Sequence, residues 1–439
     1  MFLNLLLLVT SVATAQQQPA DPLADAQTTC ILNYLSSLPG LSTNKVLSGQ
    51  MTDHRNSTYH TPQSEYDSVI TSVYNLTGKY TALAGTDYMR IFWPSPLLKN
   101  MIITNQPMIT HFKNGGLISV MSSLNNPWNG GNSNNTTGAA NLLDLMNSST
   151  GAYTAFHKDL DSIAKGFKNL QDSGVTVLFR PFHENNGGWF WWGYKPTHSQ
   201  NDFITMWQYV FNYMTQVKQL HNILWVFSPS VKETNDNIQD ELYYYPGDNY
   251  VDIFGLDIYN DTLDIPNYNS IIATGKPFAI AEFGPDASAL VQHTYNYTTL
   301  INQIRTKYPA VVYWMSWNHF TGNNGSKYFS LITQNNVDDL LNDNWVLTQD
   351  EIDYSGCNTT GINFSETTNS FTVFPNPAAD NFTVETTESG SFIFRNVIGE
   401  TLYIAQIQHK AVINLQQLAS GIYFLSEINS GKTVKVIKE

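Results

Sequence analysis

Short apolar runs and longer amphipathic stretches alternate along the first three quarters of the chain. Eight of the runs, at residues 46–49, 81–85, 117–121, 175–179, 223–227, 251–255, 277–281 and 311–315, read as buried strands. Near-continuous apolarity marks a parallel strand covered on both faces, which lacks the polar alternation of a half-exposed one. Between the runs the spacing becomes helical: in 203–220, Met206, Trp207, Val210, Phe211 and Met214 share one face. Eight strand–helix units predict an α/β fold, a (β/α)8 TIM barrel over residues 24–357; pattern alone leaves a doubly wound open sheet as the alternative. The Asn- and Gly-rich stretch 125–137 follows the third strand and is expected to form a loop on the barrel's C-terminal face.

The texture changes after Cys357. Residues 358–370 are rich in Thr, Ser and Asn and read as a linker. From 371 to 439 short alternating strands follow one another with turn residues between them, predicting a small antiparallel β-sandwich domain. At the other end, residues 1–15 read as a signal peptide, with an apolar run ahead of Ala13-Thr14-Ala15, a small-residue cleavage site. The run is too short to span a bilayer, so no membrane anchor is expected. Export permits disulfides, and the two cysteines, Cys30 and Cys357, flank the barrel; a bridge between them and two free buried thiols both remain open.

Composition then narrows the ligand. Charged residues make up only 13% of the 439, while aromatics also reach 13%, with ten Trp and 24 Tyr. Sugars present C–H faces that stack on such rings and hydroxyls that pair with Asn, Asp and Glu, although most aromatics in so large a chain fill its core. A formal net charge of -14 and the lack of any basic run argue against nucleic acid as a partner. No cofactor motif or phosphate-binding glycine loop is visible, and none is expected.

Two carboxylates stand out by position. Glu184 follows the fourth predicted strand and Glu282 the seventh, where a barrel delivers side chains to its active face. Strands four and seven lie across the barrel mouth from each other. A facing carboxyl pair is what glycoside hydrolysis requires, one protonated to give a proton to the leaving oxygen, the other ionised to attack or to activate water. The run Gly187-Gly188-Trp189-Phe190-Trp191-Trp192-Gly193 follows Glu184, and four aromatics on one loop mark a binding surface unless neighbouring loops bury them.

The segment from Arg180 through Pro181-Phe182-His183-Glu184-Asn185-Asn186 to Gly193 closely resembles the signature of glycoside hydrolase family 26, best known for β-mannanases, and the resemblance extends over roughly Cys30 to Asn318. It implies a barrel of a retaining clan with Glu184 as acid/base and Glu282 as nucleophile. It further implies substrate-binding roles for His183, for Trp189 as an aromatic floor at the cleavage point, for Tyr259 as a hydrogen-bond donor to the nucleophile, and for Trp317 as a platform. Hydroxyl donation from Tyr259 would favour the ionised form of Glu282, and an apolar wall from Trp189 would favour the protonated form of Glu184.

Two positions depart from the mannanase pattern. Ser123 stands where a histidine is usual before Asn-Pro, and Asn318 follows Trp317 where an arginine is common. Both positions touch sugar in the family, so a β-1,4-mannan substrate is expected while β-1,3-xylan and mixed-linkage β-glucan stay open; Asn125, Trp128 and His319 are candidate replacement contacts. A polysaccharide-binding barrel without activity is the rival from another class. A metal-dependent hydrolase is disfavoured because His183 and Glu184 are adjacent and point apart, with no second ligand pair at metal spacing. The C-terminal segment, with Phe374-Pro375-Asn376-Pro377 at its start and Gly421-Ile422-Tyr423-Phe424 near its end, resembles the sorting domain of the type IX secretion system. That resemblance implies the secretion machinery as a partner and a secreted or cell-surface product. The segment has no Trp, which counts against a sugar-binding module.

Overall fold

The computed structural model describes residues 17–41, 45–52, 61–88, 101–139, 141–232, 238–285, 295–322, 325–354, 357, 371–387, 389–396, 401–427 and 433–439. The expected signal peptide, residues 1–15, and the expected linker, 358–370, lie outside these. Nine strand segments build a closed parallel barrel: β1 (Val46–Leu47), β2 (Gly49–Met51), β3 (Leu83–Tyr88), β4 (Leu117–Ser122), β5 (Val177–Arg180), β6 (Ile223–Phe227), β7 (Ile253–Tyr259), β8 (Phe278–Gly284) and β9 (Val311–Ser316). The first stave is split into β1 and β2 at Ser48, whose hydroxyl donates to the Leu347 carbonyl and accepts from the Ala82 N–H. Closure comes from Leu47 pairing with Tyr313 and Gln50 with Ser316, which excludes the open sheet. After β9 come a hairpin of β10 (Phe320–Gly322) and β11 (Gly325–Lys327), then β12 (Val346–Leu347), which pairs with β1 from outside the ring.

All eight apolar runs fall on barrel strands, but several strands continue past them. β7 extends to Tyr259 and β8 to Gly284, so Asp257 and Glu282 are ladder residues in register with each other. The correction to the expected placement is physical. Polar side chains near the mouth end hydrophobic periodicity without ending backbone pairing, because the ladder uses only N–H and C=O groups. Below the mouth the interior is filled by Met51 and Met315; a Cβ on Gly85 would lie 2.2 Å from the Met51 sulfur, so this close packing needs glycine. Most aromatics serve the core, as Trp191, Trp192, Trp207, Trp225 and Trp314 are fully buried.

The C-terminal unit is two antiparallel sheets. One orders β13 (Phe371–Phe374), β14 (Asn381–Thr386) and β17 (Lys410–Asn414); the other orders β16 (Thr401–Ile407), β15 (Gly390–Asn396), β18 (Gly421–Glu427) and β19 (Thr433–Lys438). Alternation in β14 sends Phe382 and Val384 inward, onto a core with Phe371, Phe392, Phe394 and Leu425. Among the described residues no helix is long and apolar enough to cross a membrane.

Cys30, on the helix Ala26–Ser37, is bonded to Cys357 with a Cα–Cα distance of 5.4 Å across 327 residues of sequence. The even choice left by the sequence is thereby decided for the bridge. Closing so long a loop restricts the unfolded chain, worth on the order of 5 kcal/mol in the chain-entropy picture. Replacing both cysteines by serine is therefore expected to lower the thermal midpoint by several degrees in calorimetry; an unchanged midpoint would show that the bridge adds nothing to the barrel's stability.

Candidate active site

The mouth of the barrel holds a buried hydrogen-bonded chain of charged groups. Arg180 closes β5 and turns into the barrel, where its Nη1 donates to Asp257 Oδ2 and its Nη2 to Glu282 Oε2, each at 2.6 Å. Its guanidinium is 1% exposed, so it has exchanged water for two carboxylates. Burial by itself would make the cation easier to deprotonate, but Asp257 and Glu282 outweigh that and push its pKa upward. Asp257 Oδ1 accepts from the Ser228 hydroxyl at 2.5 Å, and the Tyr259 hydroxyl donates to Glu282 Oε1. Burial first, and then the charges of Glu282 and Glu184, push the Tyr259 phenol well above its ordinary range, so it stays a donor.

Glu184 reaches this cluster on a strained turn. Phe182 and Glu184 both have positive φ, 50° and 51°, which disfavours side chains with a Cβ. Tertiary contacts hold the turn. The Glu184 N–H donates to the Ser228 carbonyl at 2.7 Å, Asn185 caps the Phe182 carbonyl, and Trp192 donates to the His183 carbonyl at 2.9 Å. Phe182 itself is buried among Phe156, Trp191, Trp192, Phe203 and Trp207. Farther out, Asn186 clamps the loop after β6 through the Ser230 N–H and the Ser230 and Gln239 carbonyls.

The aromatic loop divides as its two readings allowed. Trp191 and Trp192 are core, while Trp189 is 38% exposed and lies on Gly187, where a Cβ would meet the indole at 2.1 Å. The Trp189 Nε1–H donates to Glu184 Oε2. This changes the electrostatic expectation, because an N–H donated to a carboxylate favours the ionised form and opposes the effect of an apolar wall.

Other sequence candidates are spread around this centre. His183 is buried against Phe190 and Trp192, and its side chain leaves the chain on a different side from Glu184. Trp317, just past β9, is nearly buried, and its N–H donates to the Phe283 carbonyl. Asn318 is wholly buried and His319 pairs with Ser330. The hydrogen bonds of Asn125 and Trp128 run away from the carboxylates, to Asp159 and Asp144, and the Trp128 ring meets Trp191 edge-on. The loop after β4 thus buttresses the aromatic loop, with Trp191 also donating to the Leu124 carbonyl. Sequence reasoning gave no role to Arg180, Ser228 or Asp257; the available signal was a charge at the end of, or inside, an apolar strand.

A closed (β/α)8 barrel with two carboxylates, an aromatic ledge and a tyrosine at its C-terminal mouth is the architecture of a glycoside hydrolase. Residues 20–351 match the family model for Glycosyl hydrolase family 26, and the chain belongs to that family. Residues 372–439 match the Secretion system C-terminal sorting domain. The chain is 34% identical over 351 residues to "Mannan endo-1,4-beta-mannosidase A and B" of Caldalkalibacillus mannanilyticus, covering 77% of this chain and 64% of that longer protein. It is 30% identical over 344 residues to the mannan endo-1,4-beta-mannosidase of Bacillus subtilis, covering 76% and 89%. A solved Bacillus subtilis mannanase superposes with a TM-score of 0.63 at 30% identity over 77% of this chain and 96% of that one.

Replacing Trp189 by phenylalanine keeps the ring and removes the donor. A group whose ionised form loses a hydrogen bond holds its proton to higher pH. With Glu184 as proton donor, the basic limb of the kcat/KM profile is therefore expected to move to higher pH in Trp189→Phe; a shift to lower pH would contradict the electrostatic role given to the indole.

Proposed function

We propose that this chain is a secreted retaining endo-β-glycanase that hydrolyses β-1,4-mannan by double displacement. The observation that carries the reading is the asymmetric support of the two carboxylates: Glu282 is held by Arg180 and Tyr259, and Glu184 by Trp189 at the exposed ledge. A carboxylate gripped at both oxygens by a guanidinium and a phenol is oriented for attack, whereas one at an exposed aromatic ledge is within reach of a bound sugar for proton exchange.

In the first step Glu282 attacks the anomeric carbon while Glu184 gives its proton to the departing glycosidic oxygen, leaving a covalent glycosyl ester on Glu282. In the second, Glu184 takes a proton from water as that water attacks the anomeric carbon and frees Glu282. The support around Glu282 suits this cycle. Burial pushes the Asp257 carboxyl upward against the pull of Arg180, and loss of the Glu282 charge to the ester favours the ionised form of Asp257, which stays paired with Arg180 at the intermediate. The similarity to mannan endo-1,4-beta-mannosidases supports mannan as substrate. The signal-like segment 1–15 and the sorting-domain match support export through the inner membrane and then through type IX secretion, with residues 358–370 as the linker between catalytic and sorting domains.

Purified protein assayed on mannan, galactomannan, β-1,3-xylan and mixed-linkage glucan is expected to release oligosaccharides from the mannans, with β-anomers formed first by proton NMR. First-formed α-anomers would exclude double displacement, and activity on xylan or glucan alone would move the substrate. Glu184→Ala and Glu282→Ala are each expected to lower kcat at least a thousandfold; retained activity in both would move the chemistry to other residues, and a wild type that binds but cleaves none of the four glycans would favour a binding barrel. Asp257→Asn, which keeps the shape but weakens the hold on Arg180, is expected to lower kcat by about ten- to a hundredfold with KM nearly unchanged.

A further inference from the structure

His198, just ahead of the helix Gln200–Asn212, is only 2% exposed, and both of its ring nitrogens face backbone carbonyls. Nδ1 is 2.9 Å from the Gly193 oxygen and Nε2 is 3.0 Å from the Ala139 oxygen. A carbonyl has no proton to give, so each contact is a hydrogen bond only if the ring nitrogen carries hydrogen. A neutral imidazole carries one, and its second nitrogen then sets a lone pair against a carbonyl oxygen. The imidazolium carries two and satisfies both oxygens. The observed placing therefore suits the cation; a neutral ring holds one carbonyl and lets go of the other.

The two carbonyls belong to the two loops that build the aromatic ledge. Gly193 ends the run that begins at Gly187, and the ends touch. A Cβ on Gly193 would lie 2.2 Å from the Gly187 oxygen, and the Tyr194 backbone N–H donates to that same oxygen at 2.8 Å. Gly187 in turn lies against the Trp189 indole, whose N–H reaches Glu184. Ala139 is at the far end of the loop after β4, in which the Ser133 carbonyl accepts the Trp191 backbone N–H at 3.0 Å. Burial pushes the His198 pKa below the ordinary histidine range; the Gly193 and Ala139 carbonyls pull it upward, Lys195 adds to the fall, and Asp202 on the helix opposes it. Residues 125–139 contain no charged side chain, and from the segment between β6 and β7 the Tyr244 hydroxyl donates to the His198 carbonyl at 3.2 Å.

We propose that His198 is a positioning residue for the ledge, a proton-operated tie that joins the aromatic loop to the loop after β4 at both carbonyls when its ring is cationic and at one when it is neutral. The part it plays in catalysis rests on the reading of the mouth as a glycan-cleaving site; the tie itself does not. Its sign follows from the proton count. The doubly tied form needs both ring protons, so taking up the second shifts the folded protein toward that form. The unfolded chain takes the same proton more readily than the buried ring does, so the gain is order in the two loops and not global stability. Acid thus firms the seat of Trp189 and, through it, the indole bond to Glu184. Near neutrality one arm of the tie is open.

Long-range proton–nitrogen NMR of the mature full chain, isotope-labelled at histidine and assigned by the signal missing in His198→Gln, reads each ring nitrogen directly. The His198 ring is expected to pass from one protonated nitrogen to two as pH falls below the ordinary histidine range, with the fold intact. A ring that keeps a single protonated nitrogen until the protein unfolds overturns the proposal, as does one with both nitrogens still protonated well above neutrality. Kinetics on the β-glycan that the wild type cleaves fastest then read the positioning role. His198→Phe, which fills the space without donors, is expected to raise KM about two- to tenfold below the midpoint of the His198 titration, with kcat nearly unchanged. His198→Gln, with an amide donor for one carbonyl, is expected to match the wild type above that midpoint and to fall behind it as pH drops. A KM ratio between His198→Phe and wild type that is the same on both sides of the midpoint overturns the positioning role. A wild type that cleaves no β-glycan removes the functional reading alone, because the NMR titration tests the tie without substrate and on the unaltered chain.

Discussion

Everything at the mouth of this barrel is arranged around one buried cation. A guanidinium taken out of water is tolerated only when its donors are met by charge, and Arg180 meets two carboxylates from two different strands. It pins β5 to β7 and β8 and, with Asp257 beside it, sets the orientation of Glu282. Asp257 passes the constraint to Ser228, and the Ser228 carbonyl receives the Glu184 N–H. The two catalytic candidates, nearly a hundred residues apart in sequence, are thus parts of one hydrogen-bonded framework.

Positive φ at two non-glycine residues costs of order 1–3 kcal/mol each, so the turn that carries Glu184 has to be held from outside. The holding is done by aromatic packing beneath it and by the loop after β4 beside it. This accounts for the dense run of tryptophans. Two of them pack beneath the turn, and Trp189 is left on the surface, on a glycine, beside the Glu184 carboxylate. Buried and exposed aromatics are neighbours in sequence because the same short loop both packs under the turn and forms the ledge above it.

The sequence alone determined the strands of the barrel, because each is covered on both faces and must be apolar almost throughout, and it determined the small β-sandwich through strict alternation. It also singled out Glu184 and Glu282 as candidates, since a carboxylate just past an apolar strand has a fixed address in this fold. It could not show that β7 and β8 run past their apolar cores, because backbone pairing continues where hydrophobicity stops. Nor could it show which of Trp189, Trp191 and Trp192 is exposed, since three similar side chains on one loop differ only in what packs against them. The partnership of Arg180 with Asp257 and Glu282 and the bond between Cys30 and Cys357 were decided by tertiary structure. Each depends on a distance between segments far apart in the chain, and no local pattern encodes such a distance.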